Sequence, residues 1–344
     1  VLKGHHLGVG PVGVLARTHV LPRPVAPPPR PVEPIEVAVS LKVHQITDID
    51  QKAENFSVVA TLIMDYAEPG LAAKPGEEVQ SQRMYRIEQF IRILTERGLS
   101  WPAHSFYNVQ GRMDYQNNGA VVDPQGNVTY FARFTSTFQA PDFDFRHFPL
   151  DKQSFHLKLD SLLPVDKVVF KVVPGGSGLG DTLGEEEWVL DNTWFGVDTH
   201  DVFDFPASRC MLSFEGTRHL NYYIVRIMIP VAIIILVSWF TFFLNDYNKR
   251  VDLAGGNLLL FIAFNFTIAK DLPRLGYLTL MDTIMLSTFV ITGLIVLISV
   301  WLKRLESQGR GELADKIDRY GVWVYPLFYG GAGVLTLILF VGRS

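Results

Sequence analysis

The residues of this chain whose types and spacing could do chemistry lie mainly in one apolar segment of its C-terminal half. They recur every three or four positions, which places them along one side of an α-helix: Asp252, Gly256, Leu259, Ala263, Phe266 and Lys270. A carboxylate stands at one end of this stripe and an ammonium at the other, with small and apolar side chains between them. Ionisable groups in such a segment generally face water or a partner, because an unpaired charge in an apolar environment is unfavourable.

This stripe allows two interpretations. If several copies of the helix surround an axis, the stripe lines a pore, Asp252 forms a charged ring, and Leu259 and Phe266 form hydrophobic constrictions that gate by dewetting. If the stripe packs inside a helical bundle, Asp252 is a favourable negative charge near the helix N-terminus. The spacing alone does not decide between a pore and a packed helix, so the elements that position the stripe must be considered.

Four apolar segments follow one another in the C-terminal part of the chain. They are 222–244, 250–270, 278–302 and 321–342. A helix needs about 20 apolar residues to cross a bilayer of ~30 Å, and these segments have about that length. A soluble bundle would need amphipathic partners to shield them, whereas the rest of the chain has the pattern of strands. We therefore expect a transmembrane domain of four helices over 220–344.

Basic residues predict how these helices are oriented. If the N-terminal half lies outside, the two inner connections carry seven basic residues: Lys249, Arg250, Lys303, Arg304, Arg310, Lys316 and Arg319. The outer remainder carries three: Lys270, Arg274 and Arg343. This excess follows the positive-inside rule, so we expect the N-terminal half outside the cytoplasm.

The N-terminal half divides into a linker and a domain of strands. Residues 1–35 contain eight prolines and no strand-like run, which is typical of an extended linker, and we expect a further domain upstream of it. Residues 36–219 alternate apolar and polar side chains between turn residues, the pattern of an antiparallel β-sandwich. The stretch 77–97 has apolar residues at helical spacing and is predicted to be a helix. The expected fold is an all-β extracellular sandwich followed by an all-α four-helix transmembrane bundle.

Composition and the remaining motifs exclude several function classes. The 344-residue chain is 48% hydrophobic and 19% charged, with a net charge of −4, so neither a disordered protein nor a nucleic-acid partner is indicated. The single cysteine, Cys210, excludes an internal disulfide framework and a cysteine-rich metal site. Residues 8–13 fit GxGxxG without the strand and helix that a dinucleotide site needs, and residues 175–180 lack the Lys-Ser/Thr of a phosphate loop. We expect no enzyme activity and no required cofactor.

A short motif in the N-terminal half carries a resemblance to a known family. Phe148-Pro149-Leu150-Asp151, followed by Gln153, resembles the F-P-x-D signature loop of the pentameric ligand-gated ion channels, or Cys-loop receptors. The two cysteines that flank this loop in animal members are replaced by Pro141 and Phe155, which is similar to the bacterial branch that lacks the Cys-loop disulfide. Three further similarities follow the family's order over 36–342: Trp101-Pro102 with Phe106-Tyr107-Asn108, Arg218 with Pro230, and Leu272-Pro273-Arg274.

The resemblance implies a homopentamer in the lipid of the inner (plasma) membrane, with its N-terminal domain on the extracellular or periplasmic side. The second helix of each subunit would line the pore. Binding of a stimulus to the extracellular domains would shift the closed–open equilibrium, which requires higher affinity for the open state. The gating interface that the resemblance implies consists of Asp48, Phe148, Pro149, Asp151, Arg218 and Pro273. We expect Asp151 and Arg218 to form a buried or half-buried ion pair there.

The residues before the pore helix depart from the family pattern. Family cation channels carry a glutamate there and anion channels a Pro-Ala pair, whereas this chain has Asn248 and Lys249. Asp252, one turn further inward, could replace the missing ring and attract cations electrostatically. Cation selectivity is the resulting prediction.

The stimulus stays open between a small ligand, a proton and a divalent ion. The positions that resemble the family's ligand site form an incomplete aromatic cage for an amine: Tyr107, Leu162, Phe203 and Phe205. Four carboxylates could bind a modulatory Ca²⁺ through oxygen ligands, although acidic runs are more often solvated: Asp142, Asp144, Glu185 and Glu186. The alternative function is a non-conducting, membrane-anchored ligand receptor.

Overall fold

The structure is a computed structural model that describes residues 33–74, 82–181, 183–184, 187–202, 204–269 and 275–341. It confirms the expected order of a β-sandwich followed by long helices. Residues 1–32 of the predicted linker over 1–35 lie outside the described residues.

Eleven strands and one helix form the sandwich in the described part of the chain. They are β1 (Ile35–Asp50), β2 (Asn55–Ala67), β3 (Arg83–Arg86), α1 (Ile87–Arg97), β4 (His104–Phe106), β5 (Val109–Val122), β6 (Asn127–Gln139), β7 (Lys152–Pro164), β8 (Val168–Val172), β9 (Gly178–Leu179), β10 (Trp188–Val202) and β11 (Phe205–Arg218). The larger sheet has the order β3-β5-β6-β2-β1-β8, with β9 also paired to β1, and the smaller sheet has the order β10-β11-β7-β4.

The core between the sheets follows from strict alternation along the central strands. In β2 every second side chain from Phe56 to Tyr66 is buried, as expected for a strand with one face on the core. Phe56 of the larger sheet meets Phe155 and Phe214 of the smaller sheet, with ring centroids 5.2 and 6.0 Å apart. These aromatic contacts join the two sheets.

The predicted helix over 77–97 is wrong in its first half as far as the structure describes it. The helix begins only at Ile87 and ends at Arg97, and it is followed by Gly98, whose φ of 65° suits a glycine at a helix end. Arg83–Arg86 instead forms β3, because it pairs with residues 119–122 at the edge of the larger sheet. Residues 75–81 lie outside the described residues.

Four long helices follow the sandwich. They are α2 (Leu220–Phe243), α3 (Tyr247–Ile268), α4 (Leu280–Ser307) and α5 (Gly311–Val341). Within the described residues, three helices are long and apolar enough to cross a membrane by length and composition, namely α2, α3 and α4. A membrane crossing by α5 stays a prediction.

The observed helix bounds extend beyond the apolar segments at the connection between α4 and α5. α4 continues to Ser307 and α5 begins at Gly311, whereas the predicted bounds were 302 and 321. The apolar run marks only the part of a helix that could lie in lipid, and charged residues at its end can remain helical in water. This extension brings Asp315 and Asp318 onto α5.

Candidate functional site

Arg218, the last residue of β11, forms a buried ion pair where the sandwich meets the helices. Its side chain is fully buried, and that of Asp151 is 1% exposed. The Nε of Arg218 donates to Oδ1 of Asp151 at 2.8 Å, and Nη2 donates to Oδ2 at 3.2 Å. The predicted pair is thereby confirmed as a two-point, charge-assisted contact. Its part in gating stays a prediction.

The rest of the Arg218 guanidinium joins three other segments to this pair. Nη1 donates to the Tyr223 hydroxyl of α2 at 3.0 Å, and Nη2 donates to Oε1 of Gln51 in the β1–β2 turn at 3.2 Å. Tyr223 in turn donates to Oε1 of Glu187, just before β10, at 2.9 Å. A buried charge is tolerated when its donors are satisfied in this way. We call Arg218, Tyr223, Gln51 and Glu187, together with Asp151, the arginine junction.

The loop that carries Asp151 packs against the other residues of the arginine junction. Phe148 is 2% exposed, and its ring meets that of Tyr223 edge-on at 5.2 Å. The peptide bond between Phe148 and Pro149 is cis. Gln153 donates to Oδ2 of Asp151 at 2.6 Å, which holds the carboxylate toward Arg218.

The same loop contacts the first turn of α4. The backbone N–H groups of Leu280 and Met281 donate to the carbonyl oxygens of Arg146 and Phe148 at 2.8 and 3.2 Å. The first N–H groups of a helix have no partner within it, so the loop supplies acceptors for them. Beside them, the backbone N–H of Phe145 donates to the hydroxyl of Tyr277 at 3.1 Å.

The structure does not bring the predicted interface residue Asp48 into these contacts. Asp48 is exposed on β1, and it is Gln51, three positions later, that reaches Arg218. Pro273 lies outside the described residues, and the described contact with the loop comes from Tyr277 and the start of α4. No sequence motif indicated Gln51 or Tyr277. The sequence feature that could have identified them is only that they lie close to the predicted turns.

The stripe on α3 is exposed in the isolated chain, from Asp252 through Gly256, Leu259 and Ala263 to Phe266. Leu259 and Phe266 are 68% and 72% exposed. The sixth member, Lys270, lies outside the described residues.

The opposite face of α3 is buried and carries two polar side chains that the spacing argument did not consider. Asn257 is 5% exposed and donates from Nδ2 to the Ile234 carbonyl at 2.9 Å and to the Ser238 hydroxyl at 2.6 Å, both on α2. Arg250 is 1% exposed and forms an ion pair with Asp318 of α5. These contacts fix which face of α3 meets its own subunit, and they leave the stripe on the other side.

The candidate ligand site lies on the smaller sheet and already contains a cation of the chain itself. Tyr107 is 68% exposed, and the Arg209 guanidinium lies over its ring, 4.6 Å from the centroid. Arg209 donates from Nε and Nη2 to the two oxygens of buried Asp160 at 2.5 and 2.7 Å. The hydrogen bonds that Arg209 donates to the Asp160 carboxylate raise the pKa of Arg209, so this arginine stays charged. One face of the Tyr107 ring therefore already meets a cation of the chain itself.

The other candidate ligand and metal residues that the structure describes do not form a cluster comparable to that of Tyr107, Arg209 and Asp160. Leu162 is 38% exposed on β7, Phe205 begins β11 half-buried, and Phe203 lies outside the described residues. Asp142 and Asp144 are exposed, and Asp144 pairs with Arg146 at 2.8 Å. Glu185 and Glu186 are not among the described residues, and within those that are described no group of three or more His, Cys, Asp or Glu side chains is placed to hold a metal ion.

Comparisons with known proteins agree with this geometry. A family model described as "Neurotransmitter-gated ion-channel ligand binding domain" matches residues 19–195. The chain is 26% identical over 321 residues to a proton-gated ion channel of Gloeobacter violaceus, covering 92% of this chain and 86% of the relative. It is 29% identical over 173 residues to a gamma-aminobutyric acid receptor subunit beta-like of Drosophila melanogaster, covering 48% of this chain and 34% of the relative. It is 28% identical over 194 residues to a gamma-aminobutyric acid receptor subunit beta-4 of Gallus gallus, covering 53% and 38%.

Proposed function

The chain belongs to the neurotransmitter-gated family of pentameric ligand-gated ion channels, which are not enzymes, and from this premise we propose that five copies form a cation-selective channel. The proposed channel lies in the inner (plasma) membrane with its sandwich on the extracellular or periplasmic side. The α3 helices surround the pore, and a small ligand, a proton or a divalent ion acting on the sandwich opens it.

The two faces of α3 carry this proposal. One face is tied to the same subunit through Arg250, Asn257 and Phe261, which are at most 5% exposed. The other face presents Asp252, Gly256 and Leu259 away from the subunit's own helices. A helix that only anchored a receptor in lipid would not need a carboxylate on its outward face, because lipid offers that carboxylate no partner.

The charges at the inner end of α3 favour cations. Asp252 belongs to the outward stripe, whereas the positive charge of Arg250 faces the subunit interior and is paired with Asp318. Lys249 is exposed and lies 3.9 Å from the carboxylate of Asp246. A ring of five Asp252 carboxylates would then dominate the local field and concentrate cations.

The contacts of the arginine junction support a route from stimulus to pore. The junction connects the β1–β2 turn, the Phe148–Asp151 loop and α2, and the same loop bonds to the start of α4. Movement of the sandwich would therefore reach the helices through packed, hydrogen-bonded groups. The Arg209 guanidinium that lies over the Tyr107 ring would repel an ammonium ligand at that position.

Current through the purified protein in planar bilayers tests this proposal. Under a KCl gradient, with pH and Ca²⁺ varied, we expect currents that reverse near the potassium potential. Asp252→Asn should move the reversal potential toward zero, and Asp315→Asn, which removes an exposed carboxylate on α5, should leave it unchanged. Reversal near the chloride potential would contradict cation selectivity.

The receptor alternative makes a different prediction for the stripe. Cysteines placed at Gly256 and Leu259 should react with water-soluble thiol reagents in a channel, while a cysteine at buried Asn257 should not. The native Cys210 is 1% exposed and gives little background. Protection of both stripe positions, together with absence of current, would favour a non-conducting receptor.

A further inference from the structure

The inner end of the pore helix is held by a buried ion pair with α5. Arg250 donates from Nη1 and Nη2 to the two carboxylate oxygens of Asp318 at 2.6 and 2.8 Å. Its side chain is 1% exposed, and that of Asp318 is 20% exposed. Arg250 and Asp252 are two positions apart on α3, so their side chains leave the helix on nearly opposite sides.

Arg250 also closes the end of the preceding helix. Its Nη2 donates to the carbonyl oxygens of Phe242 and Leu244 at 2.9 and 3.0 Å, where α2 finishes. The last carbonyl groups of a helix lack partners within it and favour a nearby cation. Residues 242, 250 and 318, from three separate helical segments, therefore meet at one guanidinium.

We propose that Asp318 is a specificity-determining residue of the pore, acting through Arg250 as a positioning residue. It holds Arg250 on the subunit side of α3, which keeps Asp252 facing the pore, and it neutralises a cation that would otherwise oppose the Asp252 ring. This inference rests on the proposed function in one respect, namely that α3 lines the pore.

Loss of the Asp318 carboxylate would leave the charge of Arg250 uncompensated in each of the five subunits. A guanidinium removed from water and left without a counter-charge is strongly unfavourable, so loss of Asp318 would also favour rotation of Arg250 toward water. Arg250 is two positions from Asp252 on α3, so its uncompensated charge would act on the inner pore mouth. There, within about 10 Å of Asp252, salt at 0.1 M screens the new positive charge only in part.

The test compares permeability ratios rather than protein stability. Asp318→Asn keeps the shape of the side chain and removes its charge, and we expect the potassium-to-chloride permeability ratio to fall by about fivefold, on the scale of partly screened unit charges. Asp318→Glu should stay close to wild type. The matched control is Asp315→Asn, three positions earlier, which bonds at 3.2 Å to Tyr247 and should not change the ratio.

A double variant separates neutralisation from general damage. Arg250→Gln with Asp318→Asn removes both charges, and the permeability ratio should recover toward that of wild type. An unchanged ratio in Asp318→Asn, or no recovery in the double variant, would overturn the inference. A purely structural role would lower assembly or thermal stability and leave the ratio of the surviving channels unaltered.

Poor assembly of Asp318→Asn alone does not block the test. Co-assembly with wild-type chains should then give channels whose permeability ratio falls as the share of variant subunits rises, and a ratio independent of that share would contradict the proposal. If wild-type current itself reverses near chloride, cation selectivity fails. The shift between wild type and variant still tests the role of Asp318, because an uncovered cation favours anions in either case.

Discussion

At the residue scale, Arg218 shows why one charged side chain can be tolerated in a packed junction. Its guanidinium lies against the rings of Trp188 and Phe148, 4.2 and 4.7 Å from their centroids. The N–H groups at the edge of the guanidinium donate the hydrogen bonds described above. Burial strengthens these contacts because the surroundings are less polar than water. The same burial makes the loss of a single partner severe.

Asp151→Asn should therefore destabilise the protein by about 3–5 kcal/mol, the usual range when a buried ion pair loses one partner. Thermal unfolding of the detergent-purified protein measures this loss, and stimulus-evoked current should be abolished or strongly reduced in the protein that still assembles. The control is Asp144→Asn, which breaks an exposed pair with Arg146 and should cost less than about 1 kcal/mol. Normal gating by Asp151→Asn channels would contradict the role of the junction.

At the element scale, the first turn of α4 is where the sandwich and a membrane helix share backbone hydrogen bonds. Thr279 and Asp282 form a capping box, which satisfies donors at the start of the helix. The backbone N–H groups of Leu280 and Met281 instead donate hydrogen bonds to carbonyl oxygens of the loop that contains Phe148. Because both partners are backbone groups, this contact depends on the position of the whole helix rather than on one side chain.

Tyr277→Phe tests this contact without removing its aromatic ring. The change deletes the acceptor for the Phe145 N–H, a loss of about 1 kcal/mol, and should shift the stimulus–response curve by about fivefold toward higher stimulus. Unitary conductance should not change, because Tyr277 is not on the stripe. Tyr320→Phe, at an exposed position on α5, serves as the control. A response curve identical to wild type would show that the hydroxyl does not couple the loop to the helix.

At the scale of the whole molecule, the fold of the sandwich makes protonation of several histidines less favourable. Burial lowers the pKa of His44, His104 and His156, with nearby cations adding to the effect at His44 and His156. His44 and His156 make 2.8 Å hydrogen bonds to the hydroxyls of Thr61 and Ser213. The folded state therefore binds fewer protons at these sites than the unfolded chain does.

The free energy of unfolding should consequently fall as the pH drops below about 6.5, where histidines of the unfolded chain begin to bind protons. Above that pH both states are neutral at these sites, and the penalty is absent. Thermal unfolding between pH 8 and pH 5 measures the slope, which His104→Phe should reduce. His200→Asn, at an exposed position on β10, should leave it unchanged. A slope that His104→Phe does not alter would exclude His104 as a source of the pH dependence.

The sequence by itself determined the features that depend on local periodicity. Alternation over 36–219 predicted a β-sandwich, and long apolar runs predicted α2 to α4, because each pattern reports which side of one element meets the core or lipid. It did not predict β5 or β10, whose side chains are largely exposed and do not alternate regularly. These strands form because β6 and β11 offer them backbone pairing along most of their length.

Only the tertiary structure decided the partners of the buried polar side chains. The family motif led to Asp151 and Arg218, but Gln51 reaches the same guanidinium from 167 positions away, and Asp318 reaches Arg250 from 68 positions away. The spacing along α3 identified a stripe of residues but did not decide whether that stripe lines a pore or packs inside the helical bundle. The contacts of Arg250 and Asn257 turned that stripe away from its own subunit, because a buried donor must find an acceptor, and the path of the distant chain segments sets where that acceptor lies.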